Sequence, residues 1–332
     1  MDRVTTADTV DRGRDFPGAT AFPATPMGDD GSIRYDVLRR VLDEALEAGV
    51  TGVAPGSTTG EGPFLSQDEK RDLLVATVEH VGGRAGVVAS VGSMTTGEAV
   101  RMAEASERAG ASALLVTLPQ FFPLTEAEVR GHFTAVADAT SLPVILYNQA
   151  LARTELPPRL VVDLAMESSN IAGIKEASGR TTRIAELVAT CPADFAVYCG
   201  SGHLALQGLL AGARGWFTGF TNVDSETCVR FCEAARTGDW ELARRLYELT
   251  VPLSRVLYDR RPIAVSMKRA LVERGYAAGE PRAPLHGLSD ADRSLLGQLM
   301  DDFVAAKQRV LPVDEGPSPS NGDRANLSLI HI

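Results

Sequence analysis

Short apolar runs and amphipathic stretches take turns along most of this chain. Residues 20–25, 52–55, 86–90, 113–117, 143–147, 171–175, 195–199 and 215–219 are brief and apolar, bounded by Gly, Pro and polar residues. Such runs read as strands buried on both faces, the pattern of a parallel sheet. Between them lie stretches with helical periodicity. In residues 34–48, Leu38, Val41, Leu42, Ala45 and Leu46 share one face, and Gly49 stops the helix. Ser66-x-x-Glu69 and Thr125-x-x-Glu128 are capping-box signals opening two more helices. Eight successive β–α units predict a (β/α)8 TIM barrel rather than a doubly wound sheet. Beyond strand eight the pattern is wholly helical, over 225–236, 240–257, 262–273 and 290–308.

The expected organisation is a flexible segment at 1–18, the barrel at 19–223, a C-terminal helical region at 224–310 and a flexible tail at 311–332. The tail contains the Gly/Pro/Ser-rich run 316–322 and ends in an apolar pentapeptide, 328–332, that has no periodic context.

With 44% hydrophobic and 23% charged residues among 332, the composition is that of a globular protein. The net charge of −10 and the absence of any Lys/Arg block argue against a nucleic-acid partner. No apolar run approaches a membrane span, and residues 1–18 carry three Arg and four Asp, unlike a signal peptide. A cytoplasmic protein without a membrane partner is expected. Cys191, Cys199, Cys228 and Cys232 form no C-x-x-C pair. Cys228 and Cys232, one helical turn apart, read as small apolar residues rather than half a metal site, and no metal is expected.

Catalytic groups of such barrels project from the C-terminal strand ends and the loops that follow. Strand six ends in Lys175. A lysine at the inner end of a buried strand is in a poor solvent for its ammonium, and the neutral amine can attack a carbonyl to form a Schiff base. Taken alone, such a lysine fits better as a strand-end residue whose amine snorkels to water. After strand two, Gly56-Ser-Thr-Thr-Gly60 can aim hydroxyls and backbone N–H groups at a carboxylate, though a tight turn uses the same residues. Strand five ends in Tyr147-Asn148, strand seven in Gly200-Ser-Gly202, and strand eight in Thr218-Gly219.

Taken together, Gly-Ser-Thr-Thr-Gly-Glu at 56–61, Leu-Tyr-Asn at 146–148 and Gly-Ile-Lys-Glu-Ala at 173–177 are far more specific. With 210–215, Thr-Asn-Val at 221–223, and Arg-Pro-Ile-Ala-Val at 261–265 followed by Lys268, the chain resembles the dihydrodipicolinate synthase and N-acetylneuraminate lyase family of class I aldolases over about residues 19–310. The resemblance implies a lyase acting on pyruvate or a related 2-oxo acid. Lys175 matches the imine-forming nucleophile, Tyr147 the proton-relaying tyrosine, and Thr58 and Thr59 the pair that holds the substrate carboxylate and connects to that tyrosine. Gly200 and Thr218 or Gly219 would supply backbone beside the adduct. No cofactor is implied beyond the covalent imine, and a homo-oligomer, dimer or tetramer, is implied.

Two departures concern the second substrate. Where the family's synthases carry Pro-Tyr-Tyr, with the second tyrosine reaching a neighbouring subunit's site, this chain has Pro119-Gln-Phe-Phe-Pro123, and Phe121 takes that tyrosine's place. The arginine that binds the aldehyde's carboxylate falls on Ala152, with Ala150 replacing a proline; Arg153, one residue late, is a candidate for that carboxylate, with a plain surface arginine as the alternative. The expectation is therefore a Schiff-base aldolase or dehydratase whose partner, an aldehyde in the aldolase case, is not aspartate semialdehyde. A 4-hydroxy-tetrahydrodipicolinate synthase, a silent paralogue that only binds ligand, and a phosphate-binding barrel using Gly200–Gly202 and Gly219 stay open as alternatives.

Overall fold

The computed structural model describes residues 15–119, 121–149, 152–259 and 262–311. Strands and helices alternate: β1 Gly18–Ala21, α1 Tyr35–Ala48, β2 Gly52–Val53, α2 Gln67–Val81, β3 Gly86–Gly92, α3 Thr96–Arg108, β4 Ala113–Thr117 and α4 Glu126–Asp138. Then follow β5 Val144–Gln149, α5 Pro158–Glu167, β6 Ile171–Ala177, α6 Thr181–Thr190, β7 Ala196–Cys199, α7 Ala205–Leu210 and β8 Gly215–Thr218. The strands pair in chain order, all parallel, and β8 closes on β1. Both capping boxes form, at Ser66/Glu69 and Thr125/Glu128, and Gly49 ends α1 in the left-handed conformation.

Alternation along each strand separates two cores. Phe22, Val88, Ala113, Leu115, Ile145, Tyr147, Tyr198 and Phe217 fill the barrel, whereas Leu114, Val116, Leu146 and Ile174 pack outward under the helices. Lys175 follows the outward Ile174, so it projects into the barrel. The same period turns its neighbour Glu176 the other way.

The segment expected to be flexible through residue 18 enters the fold earlier. Phe16 is fully buried against Tyr198 and Phe217. The Tyr198 hydroxyl donates to Asp15 at 3.1 Å, and Arg214 pairs with the same carboxylate. An aromatic plug of this kind closes the end of the barrel opposite the strand C-termini, and a fixed boundary at 18 misses it. Residues 1–14 and the tail from 312 onward, with the expectations placed on them, lie outside the described residues, as do Ala150 and Arg261.

Helices α8 Ser225–Thr237, α9 Trp240–Asp259, α10 Ile263–Glu273 and α11 Asp290–Val310 form the C-terminal region. Cys228 and Cys232 are buried in α8 as small apolar residues, and burial raises both thiols. Among the described residues no group of three or more His, Cys, Asp and Glu is placed to hold a metal ion. No described helix is long and apolar enough to cross a membrane.

Candidate active site

Parallel pairing sets Tyr147 of β5 beside Lys175 of β6, and Asn148 beside Glu176. Lys175 is 5% exposed. Its Nζ lies 3.8 Å from the centre of the Phe22 ring and 4.2 Å from that of Tyr147. Burial pulls the amine down to about 7 from the usual 10.5. The nearest carboxylate in sequence does not offset this, because Glu176 faces away and is committed elsewhere. Glu176 accepts from Asn148 Nδ2 at 2.8 Å, Arg183 Nε at 3.1 Å and the Ser178 amide at 2.7 Å. Asn148 also accepts from the Leu156 amide at 3.1 Å. This buried network ties the ends of β5 and β6 to the loop between β5 and α5, and among the described residues it leaves the lysine amine without an ion-pair partner.

The room for Lys175 depends on Gly200. A Cβ there would stand 2.9 Å from both Cγ and Cε of the lysine and 2.8 Å from Ala177 Cβ. Gly219 plays the same part for Thr59, whose Cγ2 would be 3.0 Å from an added Cβ. Both glycines therefore act by close approach, at the positions the sequence marks.

Tyr147 is buried, and desolvation pushes its phenol up to about 12 against a smaller opposing hydrogen bond from Thr58. Thr58, matched above to carboxylate binding, is thus the threonine hydroxyl that meets the tyrosine, and Thr59 is the one buried against Gly219. The loop carrying them is held from below. Thr25 Oγ1 donates to the Gly60 carbonyl at 2.6 Å. Glu61, a non-glycine residue at φ 59°, is locked by a buried ion pair with Lys268 of α10 and by the Arg282 amide, 2.7 Å from Oε2. A cavity of about 400 Å³ opens beside the loop, lined in part by Ser57, Thr58, Ser90, Ser93 and Thr117.

Thr218 is buried at the end of β8, where its Oγ1 accepts from the Phe220 amide at 3.0 Å. The same oxygen lies 3.4 Å from the hydroxyl of Tyr258 in α9. Phe121 and Arg153 lie apart from this cluster. Phe121 is 70% exposed and stacks edge-on against Phe122 at 5.0 Å, and Arg153 is exposed. The structure thus brings Lys175, Tyr147, Thr58, Thr59, Gly200, Thr218 and Gly219 to one rim and leaves the two second-substrate candidates at the surface.

Five residues near the rim escaped the sequence reading as site residues: Phe22, Arg183, Glu61, Lys268 and Tyr258. The facing direction of Phe22 was legible only from strand register, and the others meet partners distant in sequence.

The profile of the Dihydrodipicolinate synthetase family matches residues 15–302. The chain belongs to that family. It is accordingly a lyase of the class I aldolase type. A 4-hydroxy-tetrahydrodipicolinate synthase of Exiguobacterium sp. is 34% identical over 295 residues, 88% of this chain and all of that protein. Its counterpart from Neisseria gonorrhoeae is 35% identical over 284 residues, covering 83% of this chain and 95% of that one. The solved synthase of Methylacidiphilum fumariolicum superposes with a TM-score of 0.86 at 30% identity, over 89% of this chain and 98% of the other. A prophage protein of the dihydrodipicolinic acid synthase family from E. coli K12, solved in complex with pyruvate, gives 0.82 at 26% identity over 87% and 99%.

Proposed function

We propose that the protein is a lyase that forms a Schiff base between Lys175 and pyruvate or a closely related 2-oxo acid. The observation that carries this reading is a buried lysine amine held over the Tyr147 ring at adjacent strand ends. The neutral amine attacks the 2-carbonyl carbon, and the carbonyl electron pair moves to oxygen to give a carbinolamine. Tyr147, still protonated at neutral pH, delivers the proton that lets water leave, with Thr58 as its hydrogen-bonded partner. Thr58, Thr59 and the backbone around Gly200, Thr218 and Gly219 receive the carboxylate and the adduct. Loss of a C3 proton from the iminium gives an enamine, whose carbon can make or break the neighbouring bond without an added cofactor.

Borohydride reduction in the presence of pyruvate should attach a lactyl-sized mass to Lys175, and no adduct at saturating pyruvate rejects the reading. Deuterium exchange into the pyruvate methyl group separates an enzyme from a silent binding paralogue, since enamine formation alone produces it. A second reading, condensation of pyruvate with aspartate semialdehyde, is favoured by the names of the relatives at 34% and 35% identity. The missing hydroxyl at Phe121 and the alanine at 152 favour a different partner, and a coupled assay with aspartate semialdehyde decides between them. The exposed Phe121–Phe122 pair, together with Met94 at 58% exposure, supports a homo-oligomer. A cytoplasmic location accords with the acidic composition and with a substrate drawn from central metabolism.

A further inference from the structure

Thr58 and Thr59 stand on a tight turn, in which the Ser57 carbonyl accepts from the amides of Gly60 and Gly62, both at 2.9 Å. The turn ends on Glu61, whose φ of 59° is uncommon for a residue with a side chain and persists only where its surroundings fix it. One residue supplies much of that fixing. Arg282 lies in the chain between α10 and α11, and its amide donates to Glu61 Oε2 at 2.7 Å. The guanidinium reaches further. Nη1 donates to the Phe64 carbonyl at 2.9 Å and to Glu69 Oε2 at 2.7 Å. Nη2 donates to Glu69 Oε1 at 2.7 Å and to the Gly31 carbonyl at 2.6 Å.

These contacts grip the link between the loop and α2. Glu69 supplies the carboxylate of the α2 capping box, accepting from the Ser66 amide at 2.7 Å. The fork from Arg282 onto the same carboxylate is a geometry that an ammonium cannot copy, and it holds the Glu69 carboxyl down to about 2. Arg282 itself stands on a fixed base. The Met27 amide donates to the Ala278 carbonyl at 3.0 Å, and Lys268 Nζ donates to that of Glu280 at 3.2 Å. Residues 61–69 are thus held at both ends by one side chain and its amide. The grip falls on the loop, on α2 and on the chain after β1, whereas Tyr147 and Lys175 belong to β5 and β6.

We propose that Arg282 is a positioning residue for the carboxylate-binding loop, holding Thr58 and Thr59 in the arrangement that receives the carboxylate of the 2-oxo acid. The inference rests on the Schiff-base reading above and assigns the preorganisation of its carboxylate site to a residue that touches no substrate. Loosening the link lets the turn relax, so the carboxylate meets hydroxyls that are out of place, while the amine on β6 keeps its position. A loss confined to ketones that carry a carboxylate marks that role. A general loosening of the fold would weaken every ketone alike.

The test compares pyruvate with acetone, a methyl ketone without the carboxylate, by the rate of borohydride modification at Lys175 per unit concentration of ketone. In the unaltered protein pyruvate should be favoured. Arg282→Met should lower the pyruvate rate about tenfold, as loss of hydrogen bonds to a charged group allows, with the acetone rate changed less than about twofold. Arg282→Lys keeps the charge without the fork and should leave a loss of about threefold. Glu69→Gln weakens the fork from its other side while keeping a capping-box acceptor, and should act in the same direction by about threefold. That variant decides the question if Arg282→Met fails to fold. No preference for pyruvate in the unaltered protein, an equal loss with both ketones, or a preference that survives these substitutions overturns the proposal. Absence of pyruvate modification at Lys175 in the unaltered protein instead rejects the Schiff-base reading.

Discussion

Lys175 and Tyr147 occupy paired positions on adjacent strands, and the lysine amine lies 4.2 Å from the centre of the tyrosine ring. A second ring, Phe22, lies 3.8 Å away. Aromatic faces attract a cation by about 2 kcal/mol when desolvated, which alone would keep the lysine charged. Burial opposes this and wins: a shift from 10.5 to about 7 corresponds to on the order of 5 kcal/mol against the ammonium. The rings thus shape an apolar enclosure in which the amine is largely available as a nucleophile near neutral pH.

Imine formation should therefore gain rate with pH around a midpoint near 7 and level off about a unit above it. The check is the pH dependence of single-turnover pyruvate trapping, or of methyl deuterium exchange. A midpoint near that of an ordinary lysine would show that the enclosure does not suppress the charge.

The same burial should appear in stability. Between pH 7 and 10.5 the unfolded chain holds a proton on this lysine that the folded chain lacks, so the folded state gains stability as pH rises through that window. Below pH 7 the burial cost is present in full. Lys175→Met, similar in length and apolar, should abolish imine trapping yet raise the denaturation midpoint, more at pH 6 than at pH 10. The gain should be a few kcal/mol at the lower pH, read by urea unfolding. A stability difference that does not vary with pH would contradict it.

Gly200→Ala tests the close approach at the end of β7. The added methyl would meet Lys175 Cγ and Cε at 2.9 Å, so the lysine must leave its position over the Tyr147 ring. Pyruvate trapping should slow by about a hundredfold, in line with a misplaced reacting group, while the far-UV circular dichroism is retained. Unchanged trapping kinetics would mean that the lysine has a second productive conformation.

Much of this was legible in the sequence, for identifiable reasons. The barrel followed from the alternation of buried runs and amphipathic helices, and Lys175 and Tyr147 from their places at strand ends. Strand limits were less accurate. β2 is only Gly52–Val53, because Pro55 lacks a donor for the ladder, while β5 and β6 run two residues past Tyr147 and Lys175. That extension is what pairs Asn148 with Glu176 and turns the carboxylate outward to Arg183. Tyr258 was hidden for another reason: within the amphipathic pattern of α9 an inward aromatic is indistinguishable from a core residue. Phe121 was placed by alignment with a tyrosine of the site, and a single chain leaves it on the surface.

Glu61 and Lys268 form a long-range ion pair in which both side chains are only 1% exposed. Burial lowers the Lys268 amine, and the Glu61 carboxylate beside it opposes that change. The pair fastens the loop bearing Thr58 and Thr59 to α10, with the Lys268 amine also donating to the Glu280 carbonyl at 3.2 Å. Removing one partner strands a buried charge, which costs about 3–5 kcal/mol, whereas replacing both removes the unpaired charge as well as the attraction. Lys268→Met and Glu61→Gln should each destabilise by that amount, and the double variant by clearly less than their sum. Because Glu61 is also held by the Arg282 amide, Glu61→Gln can retain one hydrogen bond and should be the milder single change. In the singles the KM for pyruvate should rise more than kcat falls if the loop is the carboxylate site proposed above, because Lys175 is held by other strands. A double-mutant cycle on urea unfolding, run beside pyruvate kinetics, measures both effects. Strict additivity of the stability losses would show that the two residues do not act as a pair.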